Sequence, residues 1–430
     1  MTPILVFVVF VIALAFSVPI SSAVTLASLV PNFFSPQMFT STSLLRSIVE
    51  GVNSYTLLAI PMFILSGVLM ARGGVSKKLF EVFSYFLGKV PGGMPCAVVI
   101  TCLFYGAISG SAPATVAAVG TMTIPVLCNL GYKKEFSVAT VAVAGSLGVI
   151  IPPSIPMVLY SMANEDASVG EMFKAGIIPG IIIALCLMIY AVIFCIRNGE
   201  DKEKINAEVG ALHEKGFAKV IVSSIPAILS PVIILGSIYG GIASPTEAAT
   251  ISVFYALIVA LFIYRTMKPK DLWPIFVDTV QTYAPLLFIL GSASAFAKVL
   301  ALLNVPDLVA DFFNNTFSNP IIILIVVNIF LFLVGMVMDG GPAILLLTPI
   351  LWPIMESIGI EAVHFGIFMI INLAIGFVTP PIGINLFVAS RLVDMPVMTI
   401  ARYAMPYICF FIVALAVIVA FPQISMFLIS

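Results

Sequence analysis

Gly148-Val149-Ile150-Ile151-Pro152-Pro153-Ser154 decides the reading of this chain, because its outline returns 228 positions later (376 − 148) as Gly376-Phe377-Val378-Thr379-Pro380-Pro381-Ile382. Each stretch lies inside an apolar segment long enough to cross a bilayer, where two adjacent prolines remove backbone donors and break the helix. In hydrocarbon a freed carbonyl is costly unless protein, ion or substrate satisfies it. Two matched breaks therefore point to ions or a polar solute handled near the midplane.

Composition sets the class. Of 430 residues, 61% are hydrophobic and 9% charged, with a mean hydropathy of +1.20, whereas soluble domains are about a quarter charged. This is the signature of a polytopic membrane protein. A net charge of −1, with no basic stripe, argues against nucleic acid as a partner and leaves the lipid bilayer as the main surroundings. The six cysteines (Cys96, Cys102, Cys128, Cys186, Cys195, Cys409) lie in apolar runs with no C-x-x-C pair, so they read as small hydrophobes. The apolar start from Ile4 to Val30 has no basic leader and is too long for a signal-peptide core. It is expected to be a first spanning helix.

A core of about 30 Å needs roughly 20 helical residues. Segments of that order run at 3–30, 52–71, 136–162, 172–197, 219–241, 244–266, 275–299, 363–390 and 397–428. Two others, 91–130 and 320–357, are split by Ser109-Gly110-Ser111-Ala112-Pro113-Ala114-Thr115 and by Met338-Asp339-Gly340-Gly341-Pro342-Ala343. Their halves are too short to span, so each is expected to be a re-entrant hairpin with its tip buried in protein. With the N-terminus in the cytoplasm, all Lys and Arg except Arg46, Lys174 and Lys298 fall on the cytoplasmic side, 16 of 19, a positive-inside pattern. The two hairpins then enter from opposite faces. Segments 75–89 and 305–317 are amphipathic and read as interfacial arms.

At the offset of 228, Pro125 meets Pro353, Gly131 meets Gly359 and Asp166 meets Asp394; one extra residue brings Pro113 onto Pro342. Glycines and prolines mark backbone breaks, so the agreement speaks for shared architecture. The predicted fold is an all-α polytopic membrane protein, an inverted-topology repeat with two re-entrant hairpins and two broken helices, whose usual consequence is a midplane site and alternating access. The first repeat covers 1–197: scaffold 1–71, arm 72–90, hairpin 91–130, broken helix 136–162 and helix 172–197. A polar cytoplasmic loop and linking helix at 198–241 join it to the second, 242–430: scaffold 244–266, helix 275–299, arm 305–317, hairpin 320–357, broken helix 363–390 and helix 397–428.

Each tip is expected to meet the break of its own repeat. Unwound carbonyls, hydroxyls and an amide oxygen are hard oxygen ligands of the kind sodium takes, and half-helix C-termini add negative dipole ends. The expected sodium ligands are Ser109, Gly110, Gly148 and Pro152 in one site, with Met338, Asp339, Gly340, Gly376, Thr379 and Pro380 in the other. Half-helix N-termini after the tips suit a carboxylate, which assigns Ser111, Ala112, Pro113, Thr115, Ser154, Gly341, Pro342 and Asn385 to an anionic substrate. For any single Ser or Gly, close helix packing is an equal reading. Asp339 costs about 2.5–3.5 kcal/mol at the bilayer centre, which a cation would offset; capping the following half-helix is the alternative and is compatible with it. Glu247, three residues after Ser244, reads as a capping box.

An intramembrane hydrolase is the remote alternative, and neither of its candidate motifs completes a mechanism. Ser109 has no histidine partner and Asp339 no second carboxylate.

Taken in order, Ala59 to Leu65, Gly106 to Thr115, Gly148 to Ser154, Ala243 to Ala249, Asp339 to Pro342 and Gly376 to Asn385 resemble the large membrane subunit of the tripartite ATP-independent periplasmic (TRAP, or DctM-like) transporters. The resemblance runs from about residue 3 to the end. It implies sodium-coupled import of an organic anion, such as a C4-dicarboxylate or sialic acid, across the bacterial inner membrane by an elevator motion. It also implies two partners, a small four-helix membrane subunit on a separate chain and a periplasmic substrate-binding protein. A stand-alone sodium/carboxylate symporter of the same fold is the alternative.

Overall fold

A computed structural model describes residues 2–34, 40–317 and 319–429, and all regular structure among them is helical. The chain begins with α1 (Thr2–Ala15), α2 (Ile20–Phe34), α3 (Ser41–Val52) and α4 (Ala59–Arg72), followed by the arm α5 (Val75–Leu87). Next come the first hairpin, α6 (Gly93–Ser109) and α7 (Ala112–Asn129), the broken helix, α8 (Lys134–Ala144) and α9 (Ile155–Ala163), and the long α10 (Val169–Asn198). The link is α11 (Lys202–Glu214) and α12 (Phe217–Tyr239). Then follow α13 (Pro245–Ile258), α14 (Leu272–Leu302), the arm α15 (Val305–Thr316), the second hairpin, α16 (Pro320–Val337) and α17 (Gly340–Ser357), the second broken helix, α18 (Ala362–Gly376) and α19 (Ile384–Val393), and α20 (Val397–Ala420).

The repeat is visible in the element starts. α17 begins 228 residues after α7 (340 − 112), α18 after α8 (362 − 134) and α20 after α10 (397 − 169). Both turns that follow the hairpins carry a left-handed glycine, Gly131 and Gly359. Eight described helices are long and apolar enough to cross a membrane.

Two expectations are corrected. Residues 3–30 do not form one spanning helix. The chain reverses at Ser17-Val18-Pro19, with Ser17 in the left-handed region, and α1 folds back along α2. Val18 precedes a proline and is held away from helical geometry, so an uninterrupted apolar run becomes two helices of 14 and 15 residues. The polar segment after Asn198 is not a loop either: α11 buries Ile205, Val209 and Leu212 against the first arm, and His213 stacks on Tyr85 at 4.1 Å between ring centres.

The hairpins and broken helices pack into one body across the repeat boundary. Thr140 and Tyr407 share a hydroxyl contact at 2.8 Å, Tyr160 donates to the Ala362 carbonyl at 2.6 Å, and Trp352 Nε1 donates to Asp166 at 2.9 Å. A second group of helices, α2, α3, α4, α13 and α14, packs around α14 and α4. Small residues let it close up: a Cβ on Gly51 of α3 would lie 2.3 Å from Ser294 Oγ of α14.

Candidate functional site

The first tip is held on its own break. α6 ends at Ser109, Gly110 takes φ +62°, and Ser111 is extended before α7 starts. Gly110 is needed twice over, since a Cβ there would also stand 3.0 Å from the Pro153 carbonyl oxygen. The Ile155 amide, just past the break, donates to Gly110 O at 3.2 Å. Within the tip, Ser109 Oγ lies 2.9 Å from Thr115 Oγ1, and Thr115 Oγ1 donates to Ser111 O at 2.8 Å. Ser154 Oγ donates to Val149 O at 2.6 Å, across the interval in which the helix is broken.

The second tip is built differently. Asp339 is the N-cap of α17, its Oδ1 accepting from the Gly340 amide at 2.8 Å, so one carboxylate oxygen stays available to the cleft. Phe377, from the second break, stands over Gly340, where a Cβ would meet its ring at 3.0 Å. The break itself is tied back to the hairpin by the Ile382 amide, which donates to Met336 O at 3.2 Å. Both Pro152-Pro153 and Pro380-Pro381 are cis.

Both tips line one cleft of about 770 Å³. Ser109, Gly110, Ser111 and Pro113 come from the first, and Asp339, Gly340 and Gly341 from the second. The amides of Ala114 and Gly341 lie in the first turns of α7 and α17 without a backbone acceptor. Two helix N-termini thus offer donors to an anion, while Asp339, Ser109 and the tip carbonyls offer oxygens to a cation. The far wall is apolar: Ile64, Val68 and Ala71 of α4, with Leu286 of α14. Arg72 and Lys77 stand at the edge of the cleft, Arg72 being ion-paired with Asp278.

The other expected site residues do not reach this cleft. Ala112, Thr115, Pro152, Ser154 and Pro342 are buried behind it, Met338 caps the end of α16, and Pro380 lies in the second break. Thr379 turns its hydroxyl to Ile375 O at 2.8 Å, finishing α18. Gly148 and Gly376 lie under the first arms of their hairpins: a Cβ on Gly376 would meet the Gly335 backbone, and one on Gly148 would meet Thr115 Oγ1 at 2.4 Å and the Ser111 carbonyl oxygen at 2.7 Å. Asn385, expected on the substrate, ties the two repeats together: its Nδ2 donates to Ala142 O at 3.2 Å and to Ser146 Oγ at 3.1 Å in the first broken helix. α19 packs on both α7 and α8, and the Asn385 side chain is not on the cleft. Its Oδ1 is a buried oxygen with no donor, and an oxygen of that kind fits a cation better than an anion.

Sequence reasoning missed the wall that continues from the first tip. On α7, Ala114, Ala117, Ala118 and Thr121 line the cleft at helical spacing, a small-residue face that the i, i+3, i+4, i+7 rule would have found. Thr282, Leu286 and Phe377 lie on the cleft too, and nothing local marks them.

Comparison with known proteins identifies the family and the fold. The family model for the DctM component of the tripartite ATP-independent periplasmic transporters matches residues 7–424. The isethionate TRAP transporter permease protein DctMQ of Oleidesulfovibrio alaskensis is 40% identical over 376 residues, 87% of this chain, which spans 58% of that protein's length. The C4-dicarboxylate TRAP transporter large permease protein DctM of Pseudomonas aeruginosa is 38% identical over 396 residues, 91% of this chain and 90% of its own. The solved YdaH transporter of Alcanivorax borkumensis has a similar fold, with a TM-score of 0.62 at 14% identity over 88% of this chain and 86% of that one. The chain is a transport protein and belongs to the DctM component family of the tripartite ATP-independent periplasmic transporters.

Proposed function

We propose that this chain is the large membrane subunit of a sodium-coupled importer of an organic anion, of the carboxylate or sulfonate class that its relatives' names describe. The observation that carries the reading is the convergence of both hairpin tips on one cleft, with free helix-terminal amides beside Asp339. An anion bound at the amides and sodium bound at the carboxylate and tip oxygens neutralise one another in a site whose far wall, on α4 and α14, is largely apolar. Neither is well held alone, because each would leave an uncompensated charge in a low-dielectric cleft. Coupling follows from that mutual requirement.

The body of hairpins and broken helices, packed across the repeat boundary, is the unit that moves against the α4–α14 group in an elevator motion. The basic residues Arg72 and Lys77 at the cleft edge agree with a cleft open to the cytoplasm. The partners are a small four-helix membrane subunit and a periplasmic binding protein that delivers the solute.

Uptake of a labelled organic anion into proteoliposomes, with and without a sodium gradient and the binding protein, tests the reading. Uptake should require both. Accumulation without a sodium gradient would overturn the coupling, and unaided accumulation would favour a stand-alone symporter.

A further inference from the structure

A second cavity of about 610 Å³ shares α9, α14 and α17 with the cleft and is completed by α3, the segment before α4 and the start of α10. Along α14 the cleft takes Thr282 and Leu286, and the second cavity takes Leu290 and Ser294. On α17 it takes Gly341 and then Leu345; on α9, Leu159 and then Ser161. The run through α4 goes the opposite way, from Arg72 and Ile64 in the cleft back to Thr56 and Ser54 in the second cavity. Four independent chain segments therefore place the two cavities end to end along one seam between the two groups of helices.

They are separated by about one helical turn, and that turn is apolar. Leu159 and Leu286 approach over Gly341: a Cβ built there would lie 3.4 Å from Leu159 Cδ1 and 3.6 Å from Leu286 Cδ2. The ends of the seam differ in the charged residues that line them, Arg72 (paired with Asp278) and Lys77 at the cleft, Glu50 (paired with Arg46) and Glu165 at the second cavity.

We propose that the second cavity is the opposite-face vestibule of the transport path, and that Leu159 and Leu286, closing on Gly341, form the seal between it and the cleft. The proposal rests on the transporter reading for its meaning, though its test does not depend on uptake. A desolvated turn of this kind stops ions because no polar group replaces their water. The carboxylates of the vestibule draw in the cation, and the anion reaches the tips only when the body that carries Leu159 and the α17 tip slides away from Leu286 on α14. Alanine at both leucines shortens the side chains across the seam and joins the two cavities.

The test uses cysteine labelling in right-side-out and inverted membrane vesicles of cells expressing the full chain, with the six native cysteines replaced and Ser161→Cys introduced. With both leucines present, a membrane-impermeant maleimide should label position 161 only from the face opposite Arg72. In the Leu159→Ala/Leu286→Ala variant it should label from both faces, and the vesicles should lose a preset 22Na⁺ gradient that the parent holds. Labelling of the parent from the Arg72 face, or a double variant that is labelled from one face only and retains its gradient, overturns the proposal. If the double variant does not reach the membrane, each single alanine variant is read by the same two measurements. Failure of anion uptake in the parent would overturn the proposed function while leaving these outcomes readable.

Discussion

Gly376 stands against the backbone of Gly335 so closely that a Cβ on Gly376 would lie 2.2 Å from the Gly335 carbonyl carbon. The same contact exists in the first repeat, where a Cβ on Gly106 would lie 2.7 Å from Gly148 Cα. Gly148 and Gly376 are 228 apart, and Gly106 and Gly335 are 229 apart, the same one-residue slip that relates Pro113 to Pro342. The broken helix is thus clamped under the first arm of its hairpin twice, by backbone-to-backbone packing that only glycine permits.

Gly376→Ala should therefore destabilise the protein by about 1–3 kcal/mol, the cost of overpacking where backbone cannot yield. Gly341→Ala is the control, since its Cβ would meet only leucine side chains at 3.4 and 3.6 Å. Thermal unfolding in detergent should show a clear drop for the first and little change for the second. Equal stability of the two variants would show that the clamp relaxes.

Asp339→Asn should weaken sodium activation of uptake by about tenfold or more, the equivalent of about 1.4 kcal/mol, with the fold kept. Asparagine still caps α17 through the Gly340 amide, so the change isolates charge from structure. The readout is uptake against sodium concentration. An unchanged sodium midpoint would leave Asp339 as a cap alone.

Thr115→Val should reduce uptake and cost about 1 kcal/mol of stability, because Thr115 Oγ1 holds both Ser109 Oγ and Ser111 O. Thr115→Ser should restore both. Uptake with both variants, beside their unfolding temperatures, separates tip geometry from bulk.

Asn385→Ala should cost about 1–3 kcal/mol, leaving buried Ser146 and Ala142 groups without their donor. The relative uptake of competing anions should not change, since the side chain lies off the cleft. Competition assays with a panel of labelled and unlabelled anions check this; a changed order of preference would put Asn385 back on the substrate.

Glu200→Gln tests a tie that sequence did not reveal. The Glu200 carboxylate accepts from the Gly92 amide at 3.0 and 3.1 Å and from the Tyr132 hydroxyl. It thereby joins the two ends of the first hairpin to the chain after α10. Charge-assisted bonds of this kind contribute about 1.5–3 kcal/mol, and the variant should be nicked more readily by protease between α10 and α11.

The sequence by itself determined the membrane class, both tips, both breaks and their repetition, since each is written locally by glycine and proline within apolar runs; it misjudged the hairpin arms as too short to span, for α7 and α16 are 18 residues each and long and apolar enough to cross a membrane. It determined the tip contents as well, and Ser109 to Ser111 and Asp339 to Gly341 do meet at one cleft. It could not show that 3–30 turns back on itself, because a reversal at Ser17-Val18-Pro19 leaves the run uniformly apolar. Nor could it place Asn385, whose neighbours Ala142 and Ser146 lie more than two hundred residues away. Only tertiary packing decided which of the matched groups face the cleft and which hold the repeats together, because burial direction depends on elements far apart in the chain.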